Sequence, residues 1–269
     1  MSRKPRLVKD LSPWRRLAAA AYAAPHEGKI YGTIEMDAGA ALAFLERRRA
    51  EGVHLTITHL VARAAALALH DDIPELNRMV SRGRIYQRRT VDIFMTVGIN
   101  EGRDISGFKI SRADTKPLEE IAQEIRDGAA GLRGGNSEVG LERTRKVLES
   151  VPAPLLRPVL QLVRFLLLDM GLDLSRLGVS GDPFGSLLVT NVGTYGLGIG
   201  YPALLPLSAA SCVLAIGQIS DRAVVRDGQV VARPILPLSA TLDHRVADAY
   251  HAGVLARAVE EKLQHPETL

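Results

Sequence analysis

The sequence has a single cysteine among its 269 residues, so no disulfide can close within the chain and a cystine-stapled secreted scaffold is excluded. That cysteine, Cys212, lies in the apolar stretch Ala209 to Ile216 with no cation beside it. It reads as a buried structural thiol, because a nucleophilic thiolate needs a stabilising charge. A secretory leader is also missing. Met1 to Arg6 is basic and no apolar run follows it at once, which makes a cytoplasmic address the expectation. Charge of one sign is scarce: 34 Lys and Arg are offset by 30 Asp and Glu, leaving +4, too small an excess to demand a nucleic-acid partner. Nor is there an unbroken apolar run of the ~20 residues a bilayer span requires. The greasiest stretch, Pro154 to Leu168, is shorter and is interrupted by Arg157, Gln161 and Arg164. Such a helix must be covered by its own domain, by another subunit or by a membrane surface.

What is present is core-forming material, 46% apolar, and its period assigns the elements. The first 12 residues read as an exposed basic arm, after which Ser12-Pro13 caps a helix through Trp14, Leu17, Ala18 and Tyr22. Ile30 to Asp37 alternates as a strand, and Asp37 caps a helix from Gly39 to Ala50. Thr56 to His59 opens a strongly apolar helix through Val61, Ala65, Leu67 and Leu69. Arg84 to Tyr86, Val91 to Ile99 and Phe108 to Ile110 read as strands, and Lys116-Pro117-Leu118 begins a helix ending near Gly128. Gly134 to Ser137 then breaks the chain before two helical runs, Val139 to Leu148 and Pro154 to Leu168. Strands return at Leu187 to Asn191 and at Cys212 to Gly217, and Asp227-Gly228 marks a two-residue hairpin between Ala223–Val225 and Gln229–Val231.

Several chemistry-bearing residues read as structural. Histidines 54, 59 and 70 have no partner at metal-ligand spacing and are assigned to capping or packing. Arg82, Arg84, Arg88 and Arg89 read as a solvated hairpin rim. The glycines at 196, 198 and 200 have phosphate-loop spacing, but Pro202 and Pro206 follow where a helix should start, which argues against a dinucleotide site.

The one stretch that combines a base, a charge to orient it and a change of hydrophobic period is Thr241 to Asp248. An extended apolar segment, Val230 to Ser239, precedes it, and Ala252, Leu255, Ala256, Val259 and Leu263 follow at helical spacing. His244-x-x-x-Asp248 places a carboxylate one helical turn beyond the imidazole, where it can fix the ring's orientation directly or through an arginine. An unperturbed imidazole titrates near ~6.5 and is suited to accept a proton at neutral pH, a role worth roughly 10² to 10⁴ in rate. Taken by itself the pattern also fits a histidine cap, and His251 completes a possible three-ligand metal set with His244 and Asp248.

The surrounding residues resemble the catalytic domain of the dihydrolipoyl acyltransferases of 2-oxo acid dehydrogenase complexes. Asp243-His244-Arg245-Val246-Ala247-Asp248 is similar to that family's Asp-His-Arg-Val-x-Asp-Gly signature, Leu188 to Gly196 to its Thr-Ile-Ser-Asn-Leu-Gly segment, and Ser12 to Ala18 to its arginine-bearing first helix. The resemblance spans roughly residues 10 to 130 and 182 to 269. It implies an α/β two-layer sandwich of the chloramphenicol acetyltransferase type, a mixed β-sheet flanked by helices, formed by residues 1–269 as one catalytic domain with a helical insertion at about 133–181. It implies further that His244 deprotonates the thiol of coenzyme A or dihydrolipoamide, that Thr190, where the family usually has serine, donates to the tetrahedral oxyanion, and that Asp248 pairs with Arg15. Coenzyme A is then a substrate, no metal is required, any lipoyl group arrives on a separate carrier protein or else the acceptor is something else, and the assembly is a homotrimer with active sites between subunits. Ala249 replaces the family's glycine. That departure, Thr190 in place of serine and the missing lipoyl domain leave a second reading, a scaffold that keeps the fold for assembly without turnover.

Overall fold

The computed structural model describes residues 6–8, 28–102, 104–135, 152–172, 182–205 and 208–269. The helix expected from Ser12, with Arg15, and the run Val139 to Leu148 lie outside these residues.

Among the described residues the main sheet has seven strands. In chain order they are β2 (Lys29–Asp37), β5 (Ile93–Ile99), β6 (Asp104–Ile110), β7 (Leu187–Asn191), β8 (Cys212–Ile216), β9 (Ser220–Arg226) and β10 (Gln229–Asp243). They stand in the order β2-β10-β8-β7-β5-β6, with β9 added beside β10. Pairing is parallel for β5 with β7 and for β7 with β8, and antiparallel elsewhere, so the sheet is mixed. A second antiparallel sheet joins β1 (Arg6–Leu7), β4 (Arg84–Gln87) and β3 (Arg78–Ser81).

Strand β10 contains Pro234 and Pro237, residues that lack a ladder donor and are ordinarily kept out of central strands. The register explains their place. Pairing with β9 ends at Ile235 and pairing with β8 begins at Leu238. Pro237 therefore falls in the gap between two neighbours, and its carbonyl accepts the Gly217 amide at 2.9 Å.

Alternation along the strands separates two faces. Leu236, Leu238 and Leu242 of β10, Leu187 and Val189 of β7 and Met36 of β2 are packed into one core. Helices α1 (Gly39–Ala50), α2 (Ile57–Leu67), α3 (Leu118–Arg133) and α5 (Ala249–Gln264) supply its other side through Leu45, Leu60, Ile121 and Val259. The apolar run from Pro154 gives helix α4 (Ala153–Arg164). The residues between face the other way, where Leu188 and Val213 join Phe94, Phe184, Leu204 and Ala210, and the Thr33 hydroxyl lies 3.1 Å from Ser239 and 2.8 Å from Tyr201. The expected two-layer arrangement of a mixed sheet with flanking helices is the observed one. Cys212, wholly buried on β8, is the structural thiol expected, and burial pushes its pKa upward.

Local chemistry accounts for several boundaries. Asp37 accepts the Gly39 amide at 2.9 Å and so starts α1 from one residue before its cap. Helix α3 runs past Gly128 instead of ending there: a Cβ at that position would stand 2.5 Å from the Phe108 ring, so the glycine makes room for β6. Strand β3 was not anticipated and β6 is longer than the three residues expected. At Asp227-Gly228 both φ angles are positive, 50° and 77°, as the predicted hairpin turn requires. His59 is a cap, its Nδ1 accepting the Thr56 amide at 3.2 Å, and His70 pairs with Asp114 at 2.9 Å.

The basic hairpin splits. Arg82, Arg84 and Arg89 are exposed, as a solvated rim should be. Arg88 is not: its Nε donates to Asp182 at 2.7 Å and its other nitrogens donate to the carbonyls of Arg78 and Ala209. Burial would raise the Asp182 carboxyl, but the Arg88 charge and hydrogen bond, with Lys109 and the Gly185 amide, outweigh it and hold that carboxyl below its ordinary range. The guanidinium thus ties the hairpin to two segments remote in sequence. Arg88→Ala strands the carboxylate and is expected to cost about 3 kcal/mol, read as a lower urea midpoint at unchanged m-value.

His59 gives a pH signature. Burial, then the Arg126 charge, lowers its pKa to about 4, so between that value and the unfolded ~6.5 the unfolded chain binds more protons. Stability is fully present above pH ~6.5 and falls as pH drops toward 4, by up to about 3 kcal/mol. His59→Gln, measured by urea titration at a series of pH values, should flatten that slope.

Candidate functional site

His244 is the first residue beyond β10, and its position follows from the ladder. The Asp243 amide donates to Ser211 O at 2.8 Å and the His244 amide to Gly28 O at 2.6 Å. The chain then folds into a single turn instead of a helix. Val246 N and Ala247 N both donate to Asp243 O at 3.0 Å, and both side chains are buried, at 1% and 0% exposure. The Asp243 carboxylate accepts the Arg245 amide at 3.0 Å and the Arg245 guanidinium through Nε at 2.9 Å and through Nη2. This fork closes the turn, because a planar guanidinium matches a carboxylate along two parallel bonds.

Within the turn His244 Nδ1 lies 2.7 Å from Ala247 O. A carbonyl oxygen only accepts, so Nδ1 must carry the proton. In the neutral ring the lone pair is therefore on Nε2, and the imidazole is held as a base with one defined basic atom.

Asp248 does not sit one helical turn beyond His244 on a common helix: α5 begins at Ala249, and Asp248 is its N-cap. Its Oδ1 accepts the Tyr250 amide at 3.1 Å and lies 2.7 Å from His251 Nδ1. The amide of Asp248 is also 3.3 Å from the same His251 nitrogen. Those two contacts ask opposite things of Nδ1. The shorter one, to an ionised carboxylate, is the stronger and puts the proton on Nδ1. His251 thus caps with Asp248, and among the described residues no three His, Cys, Asp or Glu side chains gather as a metal site. The methyl of Ala249 is exposed at the first helical position, where it adds no crowding.

Thr190 is the fourth residue of β7, half-buried. Leu187 and Val189 face the helices while Leu188 joins the opposite cluster, so Thr190 belongs to the face away from the helices. The next residue, Asn191, fixes the strand end: its Nδ2 donates to Thr58 Oγ1 at 2.9 Å, and its Oδ1 accepts the Thr194 amide. This anchor was not singled out from sequence. The glycine-rich loop beyond it meets the Gly217–Gln218 backbone at close quarters. A Cβ on Gly217 would stand 1.8 Å from Gly198 O, and one on Gly193 would stand 2.6 Å from Gln218 N.

The sheet register separates the two candidate groups. Thr190 pairs with Ala215, and Ala215 with Ser239. Ser239 is five residues before His244 on β10, a distance of about 16 Å at the usual ~3.3 Å per residue. Within one chain, then, Thr190 and His244 lie toward opposite ends of the sheet. Arg15 is outside the described residues.

Residues 12–139 and 180–269 match the family model for 2-oxoacid dehydrogenases acyltransferase (catalytic domain). The dihydrolipoyllysine-residue acetyltransferase component of the acetoin cleaving system of Bacillus subtilis is 29% identical over 218 residues, 81% of this chain and 44% of that protein. The chain thus spans under half the length of that relative. Among solved structures, the dihydrolipoamide acetyltransferase of Azotobacter vinelandii aligns with a TM-score of 0.64 at 19% identity, over 89% of this chain and 83% of that one. A truncated catalytic core of the 2-oxoacid dehydrogenase multienzyme complex from Thermoplasma acidophilum aligns at 0.62 and 20%, over 96% and 98%. At such identities the structural likeness establishes the fold.

The His244 tautomer is directly observable. In nitrogen-15 spectra taken where the ring is neutral, Nδ1 should resonate as the protonated nitrogen and Nε2 as the lone-pair nitrogen. The reverse assignment would contradict the bond to Ala247.

Proposed function

Because the chain belongs to the 2-oxoacid dehydrogenases acyltransferase (catalytic domain) family, we propose that it moves an acyl group between coenzyme A and a thiol such as dihydrolipoamide. The observation that carries this reading is the 2.7 Å bond from His244 Nδ1 to Ala247 O, which leaves Nε2 as the basic atom of the ring. Nε2 takes the proton of the attacking thiol, and the thiolate adds to the carbonyl carbon of the acyl thioester. Thr190 donates its hydroxyl proton in a hydrogen bond to the resulting oxyanion, a contribution of roughly 10² to 10³ in rate for one donor. Collapse breaks the other carbon–sulfur bond, and the departing thiolate recovers the proton from the His244 imidazolium. The sequence of steps is symmetric, so it serves either direction of transfer.

A base and an oxyanion donor separated by about 16 Å along the strands, and by two strand spacings across them, cannot act on one carbonyl. The register therefore supports a site completed by a second subunit, with His244 of one chain facing Thr190 of its neighbour in a homotrimer. In the Azotobacter vinelandii enzyme a serine, a histidine and an asparagine four residues beyond that histidine have been investigated for their role in catalysis. In our reading Thr190, His244 and Asp248 take the corresponding positions. Asp248, bridged to His251, acts on the loop, and Arg15 is its second partner. Dihydrolipoamide is presented in trans by a lipoyl-carrier protein, and the cytoplasm is the compartment.

His244→Ala and Thr190→Val, each assayed with acyl-coenzyme A and free dihydrolipoamide, should lose roughly 10² to 10⁴ and 10² to 10³ in kcat respectively. Refolding the two inactive variants together should restore part of the activity, since some interfaces then combine an intact His244 with an intact Thr190. Unchanged turnover in His244→Ala would sink the mechanism, and mixtures as inactive as their parents would sink the shared site.

A further inference from the structure

The turn that carries His244 is closed by an ion pair to which the acyl-transfer chemistry assigns no step. Asp243 and Arg245 flank the histidine, and their side chains are only 12% and 13% exposed. The carboxylate accepts the Arg245 amide at 3.0 Å, the guanidinium Nε at 2.9 Å and 3.0 Å, and Nη2. A pair so nearly buried adds little net stability over apolar side chains, because desolvation of both charges offsets their attraction. What it adds is geometry. The guanidinium is planar, and a fork of bonds to one carboxylate fixes both its plane and its distance.

Three further bonds show what that geometry holds. The Asp243 carbonyl accepts the amides of Val246 and Ala247, both at 3.0 Å. Ala247 in turn presents the carbonyl that lies 2.7 Å from His244 Nδ1. The ring and the oxygen that fixes its proton therefore stand on one closed turn, Asp243 to Ala247, which the fork ties across its first half. Neither regular element does this work: β10 ends at Asp243 and α5 starts at Ala249. Burial anchors Val246 and Ala247, but apolar burial has no direction, so the aim of the Ala247 carbonyl depends on the bonds. A neutral imidazole freed from that carbonyl can carry its proton on either nitrogen.

We propose that Arg245 is a positioning residue for the base: through the Asp243 fork it holds the Ala247 carbonyl against His244 Nδ1 and so keeps Nε2 free to accept a proton. In this role it touches neither the thiol nor the acyl group. Its catalytic consequence rests on the acyl-transfer reading, whereas its effect on the tautomer follows from geometry alone. Lysine is no substitute, since an ammonium is a point charge that makes no planar fork. Loss of the fork costs on the order of 10²-fold in kcat, the scale that a misplacement of roughly 1 Å produces. KM stays near the wild-type value, because the ground-state contacts to the substrates are untouched.

The test is Arg245→Lys and Arg245→Ala in the full chain, each checked for folding by circular dichroism and thermal melting. Both should lose about 10²-fold in kcat with little change in KM. Nitrogen-15 spectra taken without substrate, where the ring is neutral, should show the proton shared between Nδ1 and Nε2 in both variants, in place of Nδ1 alone. If Arg245→Ala does not fold, Arg245→Lys, which keeps the charge beside Asp243, decides. Nδ1 as the sole protonated nitrogen in folded Arg245→Lys would overturn the proposal, whatever the turnover, since charge without the fork would then suffice. A purely structural pair gives that spectrum, with nothing more than a lower melting temperature. A shared proton with full turnover would support the positioning and count against His244 as the base, so the two readings fail separately.

Discussion

Fifteen consecutive residues of extended chain, β10, are gripped from three sides, and the placement of nearly everything else follows from that grip. Its first half pairs with β9; its second half is bonded to β2 on one side and β8 on the other. The alternation along it is strict: Leu236, Leu238 and Leu242 meet the helices while Ser239, Thr241 and Asp243 face away. A one-residue slip would exchange those sets and bury hydroxyls where leucines pack. Register is therefore fixed by burial on one face, and a fixed register delivers His244 at a fixed height. The bonds of Asp243 to Ser211 and of His244 to Gly28 carry the ladder one step past the last strand residue. The imidazole is thereby an extension of the sheet's hydrogen-bond order and not a side chain on a mobile loop.

The arginines of the β3–β4 region show how neighbouring residues of one type meet opposite physical demands. Arg88 is buried because three acceptors, the Asp182 carboxylate and the carbonyls of Arg78 and Ala209, converge on it, which meets the condition for burying a charge. The others stay at the surface without such partners. One guanidinium closes the packing between the hairpin and Asp182, which lies ahead of β7, and the rest stay in contact with solvent.

Elements set by local chemistry were legible in the sequence: the alternation of β2, the caps at Asp37 and Thr56, the turn at Asp227-Gly228, the buried strand around Cys212. Each depends on residues within a few positions of one another. What was not legible depends on partners far along the chain. Arg88 read as solvated because its carboxylate lies 94 positions away. Gly128 read as a helix end because Phe108, which occupies the space of its absent side chain, is on another element. Asp248 was expected on a helix shared with His244, whereas the Asp243–Arg245 fork forms a separate turn and delays the helix to Ala249. At the candidate site the residue types could be named from the motif, but the distance between Thr190 and His244 could not, since it is a property of strand order and register in a mixed sheet.

Cys212 adds a practical consequence. The sole thiol is wholly buried between Leu187 and Leu242 in the strand ladder, with its pKa pushed upward by burial, so it is shielded from alkylating reagents in the native state. The natural sequence is thus already a silent background for thiol-directed spectroscopy. A cysteine introduced at an exposed position can be labelled alone, without removing a residue that the core needs, in an otherwise unaltered protein.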